Sequence, residues 1–131
     1  MPAAKVAPVS VSAQPLVILI VEDEFFVRSD IADFLREAGY VVVETESGEE
    51  AIALCGSSVS IDIVFTDINL IGPATGWDVA ECFRADRPNG LVLYTSGKSI
   101  DRGRCLPGSA FVAKPYLPQE VITACQRLRG G

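Results

Sequence analysis

Five short, mainly apolar runs divide the chain, and a polar or charged cluster follows each of them. The runs at 16–21, 40–43, 61–66, 91–94 and 110–113 have the length and the Val, Ile and Leu character of parallel strands covered on both faces. Between them the period changes. Val27, Ile31, Phe34, Leu35 and Ala38 recur at helical spacing, and Gly39 supplies a stop. A short helix over 48–55 carries Ala51, Ile52 and Leu54, and a third over 77–86 must end near Pro88. A closing helix over 118–128 has proline in its first turn. In the segment 98–108, two glycines and Pro107 leave room only for a short or frayed helix. The pattern amounts to five βα units in series.

Alternation of this kind predicts the α/β class: a parallel sheet with helices on both faces, joined by right-handed crossovers. Ligands of such sheets bind outside the carboxyl ends of the strands, where the strand order reverses. Four polar pieces directly follow strands: Glu22-Asp23, Asp67, Thr95-Ser96 and Lys114-Pro115. One edge of one sheet therefore collects three acids, a hydroxyl and a lysine.

Composition narrows what that edge can do. At 131 residues, 49% hydrophobic and 21% charged, the chain is globular and sized for one domain. We expect a domain over 16–129 preceded by a loose tail over 1–15, where Pro2, Pro8 and Pro15 stand among small residues. The tail lacks the basic start and apolar stretch of a signal peptide. The longest aliphatic run, 16–21, is far too short to span a membrane. A net charge of −6 repels nucleic acid and anionic lipid. Four cysteines without a C-x-x-C pair, and no histidine at all, exclude the usual zinc sites and a Ser-His-Asp triad. Reduced thiols fit a cytoplasmic protein. Any phosphohistidine donor has to belong to a partner.

Three carboxylates in one crevice repel one another: each pair about 4 Å apart costs roughly 1 kcal/mol in water and about 4 at an effective dielectric near 20. A hard divalent cation together with Lys114 would balance them, and Mg²⁺ takes oxygen ligands in incomplete cages of this kind. Such a neutralised site can accept phosphate, because cation and lysine screen the charge on the transferred group. Asp67, at a strand tip before a flexible loop, has the access that in-line attack needs. Ser96 or Thr95 can then bond a phosphoryl oxygen. Taken singly, each piece has a plainer reading: acids favoured at a helix start, a turn at Asp67 and Asn69, a solvated lysine, a core phenylalanine. Their co-occurrence at successive strand ends decides for the site.

At these residues the chain resembles the receiver domain of bacterial two-component response regulators. The resemblance runs from about 16 to 128 through Val21-Glu22-Asp23, Thr66-Asp67-Ile68-Asn69, Gly76, Thr95-Ser96-Gly97 and Phe111-Val112-Ala113-Lys114-Pro115. It implies a flavodoxin-like, doubly wound five-stranded sheet in the order 2-1-3-4-5. It also implies a Mg²⁺-dependent phosphoacceptor, with Mn²⁺ as a substitute, served by a sensor histidine kinase or a histidine phosphotransfer protein. Residue by residue, the likeness makes Asp67 the acceptor, Asp23 a direct metal ligand, Glu22 a ligand through water and Asn69 a ligand through its backbone carbonyl. Lys114 becomes the phosphate-pairing lysine, aimed by a cis bond to Pro115. Ser96, before the small Gly97, is preferred over Thr95 as the switch hydroxyl, and Phe111 matches the aromatic that turns inward.

The implied protein is a signalling module rather than an enzyme on external substrates, catalysing only its own phosphorylation and dephosphorylation. It would be either a stand-alone receiver acting on a downstream protein target or a fragment of something larger, with a phosphorylation-dependent homodimer left open and no nucleic-acid or membrane partner. Two departures affect its signalling face: the loop 70–76 is one residue longer than the family pattern, and the segment between Ser96 and Lys114 is shorter. Two competing readings share the sheet. A flavodoxin-like cofactor binder would want a Ser/Thr/Gly loop where Glu22-Asp23-Glu24 stands, and a phosphoaspartyl hydrolase would want an acid at the Asn69 position.

Overall fold

The computed structural model describes residues 14–130, so most of the expected tail lies outside the described residues. Five parallel strands, β1 (Val17–Val21), β2 (Val41–Thr45), β3 (Ile63–Asp67), β4 (Leu91–Ser96) and β5 (Ala110–Ala113), form one sheet in the order β2-β1-β3-β4-β5. Helices α1 (Phe25–Glu37), α2 (Gly48–Cys55), α3 (Gly76–Asp86) and α4 (Pro118–Gly130) cover it. This is the flavodoxin-like arrangement, with the order reversing between β1 and β3.

Alternation along the strands divides the core in two. Leu19, Val21, Val64, Val92 and Tyr94 face α2 and α3, meeting Ala51, Val79, Ala80 and Phe83. Ile18, Ile20, Ile63, Phe65 and Leu93 face the other way, onto Ile31 and Leu35 of α1 and Val121 and Cys125 of α4. β3 is buried along its whole length, as expected of a central strand covered on both faces. Fully burying each such aliphatic side chain contributes roughly 1.5–3 kcal/mol.

Local chemistry sets the helix limits. At the end of α1, the Tyr40 N–H bonds the Leu35 carbonyl at 3.1 Å and the Gly39 N–H bonds the Arg36 carbonyl at 3.0 Å. That double closure requires the left-handed backbone that Gly39 adopts, with φ 101°. α3 opens with a capping box between Thr75 and Asp78. These bonds from Thr75 hold the Asp78 carboxyl below the usual range.

The fourth βα unit carries no α-helix: its connecting segment, expected to hold only a short or frayed helix, forms a single 3₁₀ turn, Arg102–Arg104. Gly103, Pro107 and Gly108 weaken a helix there, and the backbone finds other partners. The Arg104 N–H bonds the Asp101 carbonyl at 3.0 Å, and the Leu106 N–H bonds the Tyr94 hydroxyl at 3.2 Å. Arg84 reaches across to the Pro107 carbonyl at 2.9 Å. Ile100, Cys105 and Leu106, which flank the turn, still pack against the α2/α3 core, so the segment covers that face without an α-helix.

Candidate functional site

Parallel register brings the polar pieces to one level. Val21 pairs with Thr66, Asp67 with Thr95, and Ser96 with Ala113, so Glu22, Asp67, Ser96 and Lys114 all stand at the carboxyl edge of adjacent strands. β3 delivers Asp67 as its last residue. α3 begins close against it: a Cβ on Gly76 would sit 2.1 Å from the Asp67 carbonyl oxygen. Only glycine permits that approach.

Lys114 Nζ lies 2.6 Å from Glu22 Oε1 and 2.9 Å from Asp67 Oδ2. Carboxylate oxygens of Glu22, Asp23 and Asp67 all fall within 4.8 Å of one another. The Asp23 carboxylate also accepts the Ile71 N–H at 2.9 Å, tying the loop after β3 to the acids. Glu22 accepts the Glu24 N–H at 3.0 Å, and Arg28 donates to the Glu22 carbonyl at 2.7 Å. Glu22 is 3% and Asp67 6% exposed, so water screens this charge poorly.

The titrations reflect that crowding. Burial pushes the Glu22 carboxyl above the usual carboxylate range, against the opposing hydrogen bond from Lys114. Burial alone would pull the Lys114 ammonium down, but its hydrogen bonds to Glu22 and Asp67 and their charges hold it above the usual lysine range. One lysine thus faces three acids. The donor set fits a hard cation: carboxylate oxygens only, with a span close to the roughly 4 Å across a Mg²⁺ ion bound at about 2.0–2.1 Å.

Of the two candidate hydroxyls, Ser96 Oγ accepts the Asn69 side-chain N–H at 3.0 Å and the Lys98 backbone N–H at 3.0 Å. Thr95 Oγ1 is buried without a hydrogen-bond partner among the described residues. The two side chains leave β4 on opposite faces, as consecutive strand residues must. Asn69 also donates its backbone N–H to Asp67 Oδ1 at 3.2 Å. The Lys114–Pro115 bond is cis. Phe111 is half-buried against the α2/α3 core, with the Arg102 guanidinium 5.0 Å over its ring.

Two features at the site carry no clear signature in the sequence. The Tyr116 ring packs on Phe65 with centroids 5.7 Å apart, and burial, then the charge of Glu22, pushes its hydroxyl up to about 12. Its position two residues after Lys114 is the one available hint. The second is the groove of about 810 Å³ that opens beside Lys114, Pro115 and Tyr116 and runs along Phe26, Asp30 and Asp33 of α1.

Residues 18–126 match the family model of the response regulator receiver domain. Among curated proteins, the transcriptional regulatory protein PdtaR of Mycobacterium tuberculosis is 31% identical over 119 residues, covering 88% of this chain and 57% of that protein. ResD of Bacillus subtilis is 27% identical over 114 residues, covering 85% and 47%. The chain therefore spans about half the length of these relatives. Among solved structures, a response regulator receiver protein from Sinorhizobium medicae superposes with a TM-score of 0.86 at 32% identity, covering 90% of this chain and 97% of that one. The receiver domain of the hybrid histidine kinase CckA gives 0.74 at 29%, covering 86% and 97%. Sheet order, strand-end chemistry and these likenesses converge: the chain belongs to the response regulator receiver family of two-component signalling.

Proposed function

We propose that this receiver, a unit over 16–129, accepts a phosphoryl group on Asp67 from a phosphohistidine of a sensor kinase or phosphotransfer protein. The observation that carries the reading is Lys114 bridging Glu22 and Asp67 at 2.6 and 2.9 Å within a three-carboxylate cluster. An Asp67 oxygen attacks phosphorus; the new O–P bond forms as the donor's N–P bond breaks, and the leaving imidazole takes up a proton. Glu22, Asp23, Asp67 and the Asn69 carbonyl would hold Mg²⁺, or Mn²⁺ in its place, whose charge offsets that of the acids and the phosphoryl oxygens. Lys114 pairs with a phosphoryl oxygen, Ser96 or, in its place, Thr95 donates a hydrogen bond to another, and Phe111 is the aromatic that answers the movement of that hydroxyl.

The domain acts on itself rather than on an external substrate, and its output is a changed protein-binding surface. Four free cysteines fit a reducing cytoplasm. No helix among the described residues is long and apolar enough to cross a membrane. Incubation with acetyl phosphate and Mg²⁺ should add the mass of one phosphoryl group, and EDTA should prevent it. Labelling that proceeds equally in EDTA would contradict a cation-dependent acceptor.

A further inference from the structure

We propose that Glu49 of α2 is a positioning residue for the cation cluster: through the Ala74 N–H its carboxylate fixes the loop 70–76, whose Ile71 N–H in turn holds the carboxylate of Asp23. The inference rests on the cation-dependent reading given above and assigns a residue outside the cluster that serves it.

Acids hold the connection from β3 to α3. The backbone N–H groups of Asn69, Ile71, Ala74 and Thr75 donate to the carboxylates of Asp67, Asp23, Glu49 and Asp78 at 3.2, 2.9, 3.1 and 2.9 Å respectively. Asp78 belongs to the capping box of α3 itself, and Asp67 and Asp23 belong to the cluster. Of these four acids, Glu49 is the one that reaches the loop from another helix. The first turn of α2 lies directly against that point: a Cβ on Gly48 would sit 2.8 Å from both the Cβ and the carbonyl oxygen of Ala74. Between the two anchored amides stand Gly72, with φ 106°, and Pro73, whose ring fixes one of the intervening dihedrals. The Glu49 carboxylate packs against this turn as well, 3.4 Å from where a Gly72 Cβ would be. Asp23 is only half-buried, so packing alone does not orient its side chain, and the Ile71 N–H supplies the constraint. A ligand carboxylate whose orientation is fixed in advance by a hydrogen bond binds a cation more tightly. Glu49 is itself exposed, so its truncation leaves both cores intact.

The test is a calorimetric Mg²⁺ titration, paired with solvent exchange of backbone amides measured by NMR on the metal-free protein. Glu49→Ala should weaken Mg²⁺ binding about threefold to tenfold, the share of one hydrogen bond, and should speed exchange at Ile71 as well as at Ala74. Glu49→Gln removes the same charge but keeps an oxygen that can accept the Ala74 N–H. It should therefore bind Mg²⁺ within about twofold of wild type and protect both amides. Equal weakening by the two variants would reduce Glu49 to a charge near the cluster and overturn the proposal. An unchanged Mg²⁺ affinity in Glu49→Ala, or faster exchange at Ala74 with Ile71 unaffected, would also overturn it while leaving the cation reading in place. A wild-type protein that takes up no Mg²⁺ would overturn both.

Discussion

Lys114 and Tyr116 stand two residues apart at the end of β5, and the same buried acids shift both in the same direction. For Lys114, hydrogen bonds and charge outweigh burial; for Tyr116, burial and the negative field of Glu22 act together and raise the hydroxyl to about 12. The consequence for stability has a definite sign. Between the ordinary tyrosine value of 10.0 and about 12 the folded chain keeps the Tyr116 proton that the unfolded chain has lost. Its contribution is therefore complete below pH 10 and disappears as pH rises through the folded value. Tyr40 and Tyr94 are raised as well, so Tyr116→Phe should make the alkaline loss of stability shallower without abolishing it. Denaturant melts at pH 9 and pH 11 would show this, and equal losses in wild type and variant would refute it.

At the scale of elements, the junction between β3 and α3 builds the site. The α3 N-terminus reaches Asp67 only because Gly76 has no side chain, and its N–H bonds the Ile68 carbonyl at 2.9 Å. A methyl group there would lie 2.6 Å from the Ile68 Cα and closer still to the Asp67 carbonyl, both of them backbone atoms. Gly76→Ala should therefore destabilise the fold by at least the ~1–3 kcal/mol of ordinary overpacking and reduce acetyl phosphate labelling. Gly130→Ala, with nothing among the described residues within 4 Å of its Cβ, serves as the control. A melting midpoint for Gly76→Ala equal to that of the control would remove this account of the junction.

Strands of this kind were legible from sequence because an unbroken Val/Ile/Leu run leaves few alternatives in a central parallel sheet. The 3₁₀ turn was less so. Its form depends on Tyr94, Arg84 and Phe111, all outside the segment 98–108, whereas local propensity shows only that a helix is disfavoured. Ser96 and Thr95 are likewise equivalent as letters, and strand alternation separates them only once the register is known. The bond from Asn69 to Ser96 spans 27 positions, and no local pattern encodes it.

Across the whole molecule, charge is divided as sharply as the core. Residues 1–67 hold twelve of the seventeen acids and three of the eleven basic residues, while 68–131 hold five and eight. The sheet order turns that division into geometry, with β1 and β2 on one side, β4 and β5 on the other and β3 between them. The site lies along the seam, where Lys114 from the basic half meets Glu22, Asp23 and Asp67 from the acidic half. A sequence of strands alone could place these groups at one edge, but the meeting of the two halves required the register. The most direct test of the account is to locate the acyl phosphate. After acetyl phosphate treatment in Mg²⁺, borohydride reduction and peptide mass spectrometry should find the modified aspartate at position 67 and nowhere else. Modification at Asp23 or Glu22, with position 67 unmodified, would contradict it.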